Sequence, residues 1–265
     1  MRRAMTGLAI TAAALLAATS AQAQGTIKIG VVMSFSGQFA DPGAQIDNGI
    51  KLYMKEHGDT VAGKKIEIIR KDSGGVAPDV SKRLSQELII RDKVDMIAGF
   101  DLTPNALAAA DVSAQAKKFM VNMNAATSII TTKSPYMVRT SFTVPQVNEA
   151  LGTWAYKSGA RKAYTLVSDF SPGHDGEGAF QRAFKEAGGE IIGSARYPVA
   201  NQDFTAFLQR AKDLNPDVLY IWVPGGPQPA AIGKAIAERG IDKSKVKIMG
   251  PVSYTHLTLP TILRV

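Results

Sequence analysis

The sequence predicts an α/β protein of two lobes, each a mostly parallel sheet with helices on both faces. Strand-like and helix-like segments alternate along most of the 265 residues, and such alternation is typical of parallel sheets covered by helices. The alternation stops in a turn-rich stretch, residues 125–135, and at the crossover-like segment 140–145. It then starts again, which indicates a second unit of the same kind.

The first lobe is assigned to residues 24–143. Its predicted strands are apolar runs that end at polar or glycine-bearing loops, at 27–33, 65–70, 96–98, 119–122 and 136–139. Its predicted helices lie between them, at 44–57, 78–91 and 104–117. The second of these helices begins at Pro78, a position where a missing N–H is harmless.

The second lobe is assigned to residues 144–250. Its predicted helices and strands alternate, with helices at 147–157, 178–187, 204–213 and 229–239 and strands at 163–167, 190–194, 218–223 and 246–249. Ligands of open α/β sheets bind at the carboxyl ends of the strands. Two such lobes that face each other across a hinge are therefore expected to form a binding cleft.

Both ends of the chain are set apart from the fold. Residues 1–23 combine a basic start, an apolar stretch and the small residues Ala21 and Ala23, which is typical of a secretory signal peptide. The apolar stretch is shorter than the roughly 20 residues that span a bilayer, so we expect a mature protein in the periplasm. Residues 251–265 show neither helical nor strand periodicity, and we expect a non-native or disordered tail there.

The amino-acid composition excludes several classes of function. The chain has no cysteine, which excludes thiol nucleophiles and zinc–thiolate sites. Its formal charge of +8 falls to +6 when Arg2 and Arg3 leave with the signal peptide. The remaining basic residues are scattered beside acidic ones, which indicates a solvated surface and no nucleic-acid partner. A mild preference for anionic solutes stays open.

Signatures of catalysis are absent from the sequence. It contains no Gly-x-Gly-x-x-Gly or phosphate-binding loop, no zinc-binding His-Glu-x-x-His and no Gly-x-Ser-x-Gly elbow. His174 and Asp175 lack further metal ligands at workable spacing, so neither a metal nor a cofactor is expected. We therefore expect a binding protein, with a ligand-sensing receptor ectodomain or a secreted α/β enzyme as the alternatives from other classes.

Several short stretches together carry a resemblance to one family. They are the first strand with its Ser36-Gly37 loop, Asp72-Ser73, and residues 97–100, 124–128, 136–141 and 201–204. In their order and spacing the chain resembles the leucine/isoleucine/valine-binding type of ABC-transporter solute-binding proteins, which are periplasmic receptors with a type I fold. Chains of that family are longer, so the resemblance implies a fold that is incomplete at its C-terminus.

The resemblance implies a function and partners. A monomer would capture a small carboxylate-bearing solute between the lobes and deliver it to the membrane permease of an ABC transporter. The solute would be a branched-chain or related amino acid, with an aromatic acid as the alternative within the family. The family's acid that pairs with an amino acid's ammonium would fall at residues 251–253, inside the tail, so the sequence does not decide between the two.

The resemblance also implies ligand contacts in the first lobe. Thr103 matches the hydroxyl that holds the ligand carboxylate together with N–H groups at a helix start. Elementary electrostatics also predicts an anion site there, and we expect Thr103 to cap the helix as well. The loop of Asn124, Ala125 and Ala126 matches a second contact, with Thr127 supplying a hydroxyl one place later.

Further candidates lie around the expected cleft. Phe39, in a polar loop, matches the residue that closes over the ligand, and Phe100 with Phe39 would suit an aromatic acid. Asp175 and Gly225 lie in loops at strand ends of the second lobe. Trp222 ends a strand and is interpreted as a core residue.

Overall fold

A computed structural model describes residues 25–200 and 203–250. In the first lobe the described residues form a six-stranded sheet in the order β2-β3-β1-β4-β5-β6. Its strands are β1 (Thr26–Met33), β2 (Thr60–Val61), β3 (Lys64–Asp72), β4 (Met96–Gly99), β5 (Phe119–Asn122) and β6 (Met137–Arg139). All neighbouring strands are parallel except β2 and β3, so the carboxyl ends of the long strands meet at one edge.

Helices cover both faces of this sheet. They are α1 (Ala40–His57), α2 (Pro78–Ile90) and α3 (Thr103–Ala116). Val32 of β1 points to the face covered by α2 and α3, where it joins a core with Leu88 and Ala109. Its neighbour Val31 points to the other face, toward α1, as the alternation of a strand requires.

The second lobe repeats the plan on a four-stranded, fully parallel sheet of the described residues in the order β10-β9-β7-β8. Its strands are β7 (Lys162–Ser168), β8 (Glu190–Tyr197), β9 (Val218–Trp222) and β10 (Lys247–Met249). Its helices are α4 (Val144–Lys157), α5 (Ser171–Glu186), α6 (Thr205–Leu214) and α7 (Gln228–Glu238). One core lies between the sheet and α4 with α5, and the other lies beneath α6 and α7. The predicted α/β architecture is confirmed.

Three predicted helix starts are wrong. Helix α1 begins at Ala40 rather than residue 44. Helix α4 begins at Val144, three residues early, because Thr143 and Gln146 form a reciprocal capping box. Helix α5 begins at Ser171 rather than residue 178, so Asp175 lies on a helix and not in a loop. The glycines that suggest a loop allow close packing instead, since a Cβ on Gly176 would collide with Tyr220 and Trp222.

The predicted signal peptide and tail, residues 1–23 and 251–265, lie outside the described residues. Among the helices that the structure describes, none combines the length and apolar character needed to cross a membrane.

Candidate functional site

A cavity of about 160 Å³ lies between the two lobes. It sits beyond the carboxyl ends of β4 and β5 on one side and of β7 and β9 on the other, where open α/β sheets bind ligands. The first lobe and the connection after it contribute Phe39, Pro42, Asp101, Leu102, Thr103, Asn124, Ala125, Ala126 and Phe142. The second lobe contributes Val144, Val147, Asn148, Phe170, Pro172, Trp222, Val223, Pro224 and Gly225.

The first-lobe wall is shaped by a tight turn directly after β4. Gly99 and Phe100 both have positive φ angles, +106° and +64°, a conformation that costs a residue with a side chain about 1–2 kcal/mol. Backbone hydrogen bonds hold the turn, since Phe100 donates to the Val32 carbonyl and Ala125 donates to the Phe100 carbonyl. The turn buries Phe100 in the first-lobe core and brings the next residue, Asp101, to the cavity wall.

Thr103 lies in this wall at the start of α3. The prediction that it caps the helix is wrong, because Leu102 occupies the cap position and no side chain caps it. The Thr103 hydroxyl instead lies 2.8 Å from the hydroxyl of Thr127, and both residues are buried. A hydroxyl is thus fixed at the positive end of a helix, where an anion is stabilised.

Asp101 is a buried acid that the sequence analysis did not select. It is 5% exposed, and its Oδ2 accepts a hydrogen bond of 3.3 Å from the backbone N–H of Ser34. Its Oδ1 is buried without a hydrogen-bond partner. Burial raises the pKa of Asp101 above its usual value, although hydrogen bonds from Ser34 and from the backbone N–H groups of Asp101 and Leu102 act in the opposite direction.

The remaining walls are largely apolar and aromatic. Among the described residues the cavity is lined by four aromatic side chains, those of Phe39, Phe142, Phe170 and Trp222. Phe170 and Trp222 pack edge to face with ring centroids 5.5 Å apart. Trp222 contacts the second-lobe core, as expected, but it also lines the cavity, so the interpretation as a core residue is incomplete. No lysine, arginine or histidine belongs to the described lining.

Two contacts connect the lobes beside the cavity. The Asp175 carboxylate of α5 accepts hydrogen bonds from the backbone N–H and the hydroxyl of Ser128, at 2.8 and 3.2 Å. At the second contact, the backbone of Gly226 lies so close to the carbonyl of Gln38 that a Cβ atom on residue 226 would collide with that carbonyl. The two lobes therefore contact each other beside the cavity.

The structure brings most of the sequence-predicted residues together. Phe39, Thr103, Asn124, Ala125, Ala126 and Gly225 line the cavity, and their roles in binding stay predictions. Three others do not line it. Phe100 belongs to the core, Thr127 lies behind Thr103, and Asp175 bridges the lobes.

Sequence reasoning missed Asp101, Phe142 and Phe170. Asp101 and Phe170 come within two residues of a strand's carboxyl end, and that position is the signal that could have identified them. Phe142 lies in the crossover between the lobes, so only the packing of the lobes places it in the wall.

Metal ligands are not assembled in the described part of the chain, where no group of His, Cys, Asp or Glu residues could hold an ion. His174 pairs with Asp169, its Nε2 lying 2.6 Å from a carboxylate oxygen at the surface.

A chain of two α/β lobes with an apolar cavity at the facing strand ends has the form of a solute-binding protein. It belongs to the periplasmic binding protein family, whose model matches residues 26–263. This is a family of solute-binding proteins of ABC transporters and not of enzymes, and the resemblance noted in the sequence is confirmed.

Relatives and solved structures agree with this assignment. A Leu/Ile/Val-binding protein homolog 6 of Brucella melitensis is 40% identical over 95% of this chain, which spans 65% of that relative's length. A Rhodopseudomonas palustris BisB5 solute-binding protein, in complex with 3,4-dihydroxybenzoic acid, is 51% identical with a TM-score of 0.83. That alignment covers 87% of this chain and 63% of the other.

A second R. palustris solute-binding protein of an ABC transporter was solved in complex with 4-hydroxybenzoate. It is 41% identical with a TM-score of 0.84, and the alignment covers 86% of this chain and 62% of that one. The predicted type I periplasmic-binding fold is confirmed by these neighbours.

Proposed function

We propose that this protein captures a small aromatic carboxylate between its lobes and delivers it to the permease of an ABC importer. The observation that carries the proposal is that the cavity has an apolar, aromatic part and a polar part. Aromatic side chains from both lobes form its apolar part, while Asp101, Thr103 and Asn124 place polar groups in the first-lobe wall. A ligand with a flat apolar body and one anionic end matches this division.

The size of the cavity suits one ring. An apolar cavity of about 150 Å³ is known to accommodate benzene, and the cavity here measures about 160 Å³. The ring would lie among Phe39, Phe142 and Trp222, where offset and edge-to-face packing stabilises aromatic pairs by about 0.5–1.5 kcal/mol each.

The carboxylate would lie at the start of α3. The Thr103 hydroxyl can donate to it, and a hydrogen bond to a charged group contributes about 1.5–3 kcal/mol. The positive end of the helix adds about 0.3–1 kcal/mol. These contributions hold an anion without a lysine or arginine in the described lining.

Two solved relatives support an aromatic ligand, since they were obtained with 3,4-dihydroxybenzoic acid and 4-hydroxybenzoate. A branched-chain amino acid is the second candidate, supported by the Leu/Ile/Val-binding name of the Brucella relative. Asp101 is the feature on which the two candidates differ, because an ionised carboxylate would pair with an ammonium but would repel a bare carboxylate.

The route of the solute follows from the architecture. The signal peptide predicted at residues 1–23 supports a periplasmic location, and the family supports delivery to a membrane permease. The lobes would open and close about the connection between Arg139 and Val144, as hinged two-lobed receptors do.

Isothermal titration calorimetry with benzoate, 4-hydroxybenzoate and leucine tests the proposal. We expect the aromatic acids to bind, and Thr103→Val to weaken them about 10- to 100-fold through the lost hydrogen bond. Thr60→Val, at an exposed threonine that does not line the cavity, should leave affinity unchanged. Binding of leucine alone would replace this proposal with the amino-acid one, and an unchanged affinity of Thr103→Val would remove Thr103 from the site.

A further inference from the structure

The carboxylate of Asp72 joins the two loops that follow β1 and β3. Asp72 is the last residue of β3 and lies opposite Met33, the last residue of β1. Its Oδ1 accepts a hydrogen bond of 2.8 Å from the backbone N–H of Phe35, in the loop after β1. The same oxygen accepts one of 2.8 Å from the backbone N–H of Gly74, in the loop after β3. One acid therefore fixes the spacing of both loops at the carboxyl edge of the first-lobe sheet.

The two loops also pack closely against each other. Gly37 has φ +75°, and a Cβ atom on it would lie 2.9 Å from the Gly74 carbonyl oxygen. Ser34 and Ser73 are buried, and their hydroxyls lie 3.4 Å apart. The loop after β1 is therefore seated on the loop after β3.

Asp72 accepts these hydrogen bonds as a carboxylate. Partial desolvation raises the pKa of Asp72, but hydrogen bonds from both loops, among them those of Ser36 and Gly74, outweigh it and hold that pKa below its usual value. An ionised carboxylate is purely an acceptor, and hydrogen bonds to it are about twice as strong as neutral ones. The side chain therefore suits the two backbone donors that it binds.

The loop after β1 ends in a residue that lines the cavity. Gly37–Phe39 form a short 3₁₀ helix whose start no side chain caps. Phe39 is 2% exposed and lines the cavity. A Cβ atom on Gly75 of the first lobe would lie 3.8 Å from the Phe39 ring, and one on Gly226 of the second lobe would lie equally close. The ring thus lies between the lobes, and the position of its loop decides how it meets a solute and the second lobe.

Resting on the function proposed above, we propose that Asp72 is a positioning residue for solute binding. It does not belong to the described lining of the cavity. It acts through the backbone of Phe35, four residues before Phe39, and so holds the Phe39 ring where it packs on the solute and on Gly226. Loss of the Asp72 carboxylate therefore lowers affinity although no group that touches the solute is removed.

Calorimetry with benzoate compares three variants of Asp72. Asp72→Ala removes the acceptor of both N–H groups, so we expect affinity to fall about tenfold or more. Asp72→Asn keeps an oxygen acceptor of the same length, so we expect it to stay within about threefold of wild type. Asp72→Ser is too short to bind both donors and should weaken binding about as much as the alanine variant, which it replaces if that variant does not fold.

Asp95 supplies the matched control. Its carboxylate accepts a hydrogen bond of 2.8 Å from the backbone N–H of Lys28, near the opposite end of β1. Asp95 is exposed, as Asp72 is. Asp95→Ala therefore removes a bond of the same kind from the same strand, away from the cavity, and we expect it to bind benzoate as wild type does even where it lowers the melting temperature.

Two further measurements separate positioning from a general loss of stability. In a double-mutant cycle, Asp72→Ala should cost less affinity in the Phe39→Ala background than in wild type, because Asp72 acts through Phe39. Hydrogen exchange of the unliganded protein should show faster exchange at residues 35–39 in Asp72→Ala. Exchange in β7 of the second lobe should stay as in wild type.

Each contrary outcome has a distinct meaning. Wild-type affinity in Asp72→Ala, or an equal loss in Asp95→Ala, overturns the inference and leaves the proposed function standing. A loss of undiminished size in the Phe39→Ala background also overturns it, since Asp72 would then act independently of Phe39. Wild type that binds leucine and no aromatic acid overturns the proposed function, and a weaker leucine affinity of Asp72→Ala would still support the inference. Wild type that binds none of these solutes overturns both.

Discussion

The bond between Asp175 and Ser128 joins α5 of the second lobe to the first lobe, and Asp175→Asn tests what it contributes to closure. The carboxylate accepts two hydrogen bonds, of 2.8 and 3.2 Å. Hydrogen bonds to charged groups contribute about 1.5–3 kcal/mol each. Because Ser128 is exposed and water competes, we assign the pair about 1–2 kcal/mol.

If this contact forms only when the lobes are closed, its loss lowers ligand affinity without touching the ligand. At 1.4 kcal/mol per factor of ten, the expected loss for Asp175→Asn is about 5- to 30-fold. Calorimetry gives the affinity, and small-angle X-ray scattering of the liganded and free variant reports whether the open form gains population. Asp111→Asn, which bridges no lobes, is the matched control.

A double-mutant cycle with Ser128→Ala makes the prediction specific. Removing the Ser128 hydroxyl should cost less in the Asp175→Asn background than in wild type, since the two groups act through one bond. Strictly additive losses, or an affinity of Asp175→Asn equal to that of wild type, would refute the idea that this contact stabilises closure.

Two further predictions concern closure and pH. Gly226→Ala should weaken ligand binding by more than about tenfold in calorimetry, because Gly226 has φ +80° and its Cβ would collide with the Gln38 carbonyl; Gly178→Ala, with open space around it, should not. Asp101→Asn should raise the unfolding free energy of the unliganded protein at neutral pH. An acid whose folded pKa is raised binds more protons folded than unfolded, so stability is lost as pH rises from about 3.9 through the folded pKa. Carboxyls with a lowered pKa, such as Asp47 and Asp217, affect both proteins alike. Urea unfolding at several pH values should therefore show that the stability difference between the variant and wild type grows with pH, and a constant difference would contradict the reasoning.

The fold was predictable because its strands are short apolar runs that end at polar or glycine-bearing loops. The strand β5, for example, matches its predicted bounds. The start of α5 was not predictable, since Gly173 and Gly176 suggest a loop until Ser168, Tyr220 and Trp222 are known to pack against them.

The sequence predicted those site residues that come shortly after the end of a strand. Thr103 and Asn124 follow the ends of β4 and β5, and both line the cavity. Phe100 is buried in the core while Asp101 lines the cavity, and this arrangement depends on the turn in which Gly99 and Phe100 both have positive φ angles. Such a turn, like the presence of Phe142 and Trp222 in the lining of one cavity, is a property of tertiary structure that the local sequence pattern does not contain.

The contact between Gly226 and Gln38 also bears on how this sequence can change in evolution. The collision that glycine avoids is with a main-chain carbonyl, which every amino acid at position 38 would present. The side chain of Gln38 is exposed, so position 38 tolerates substitution. The selective constraint therefore falls on one partner only: position 226 must keep a residue without a side chain, while position 38 can accept many.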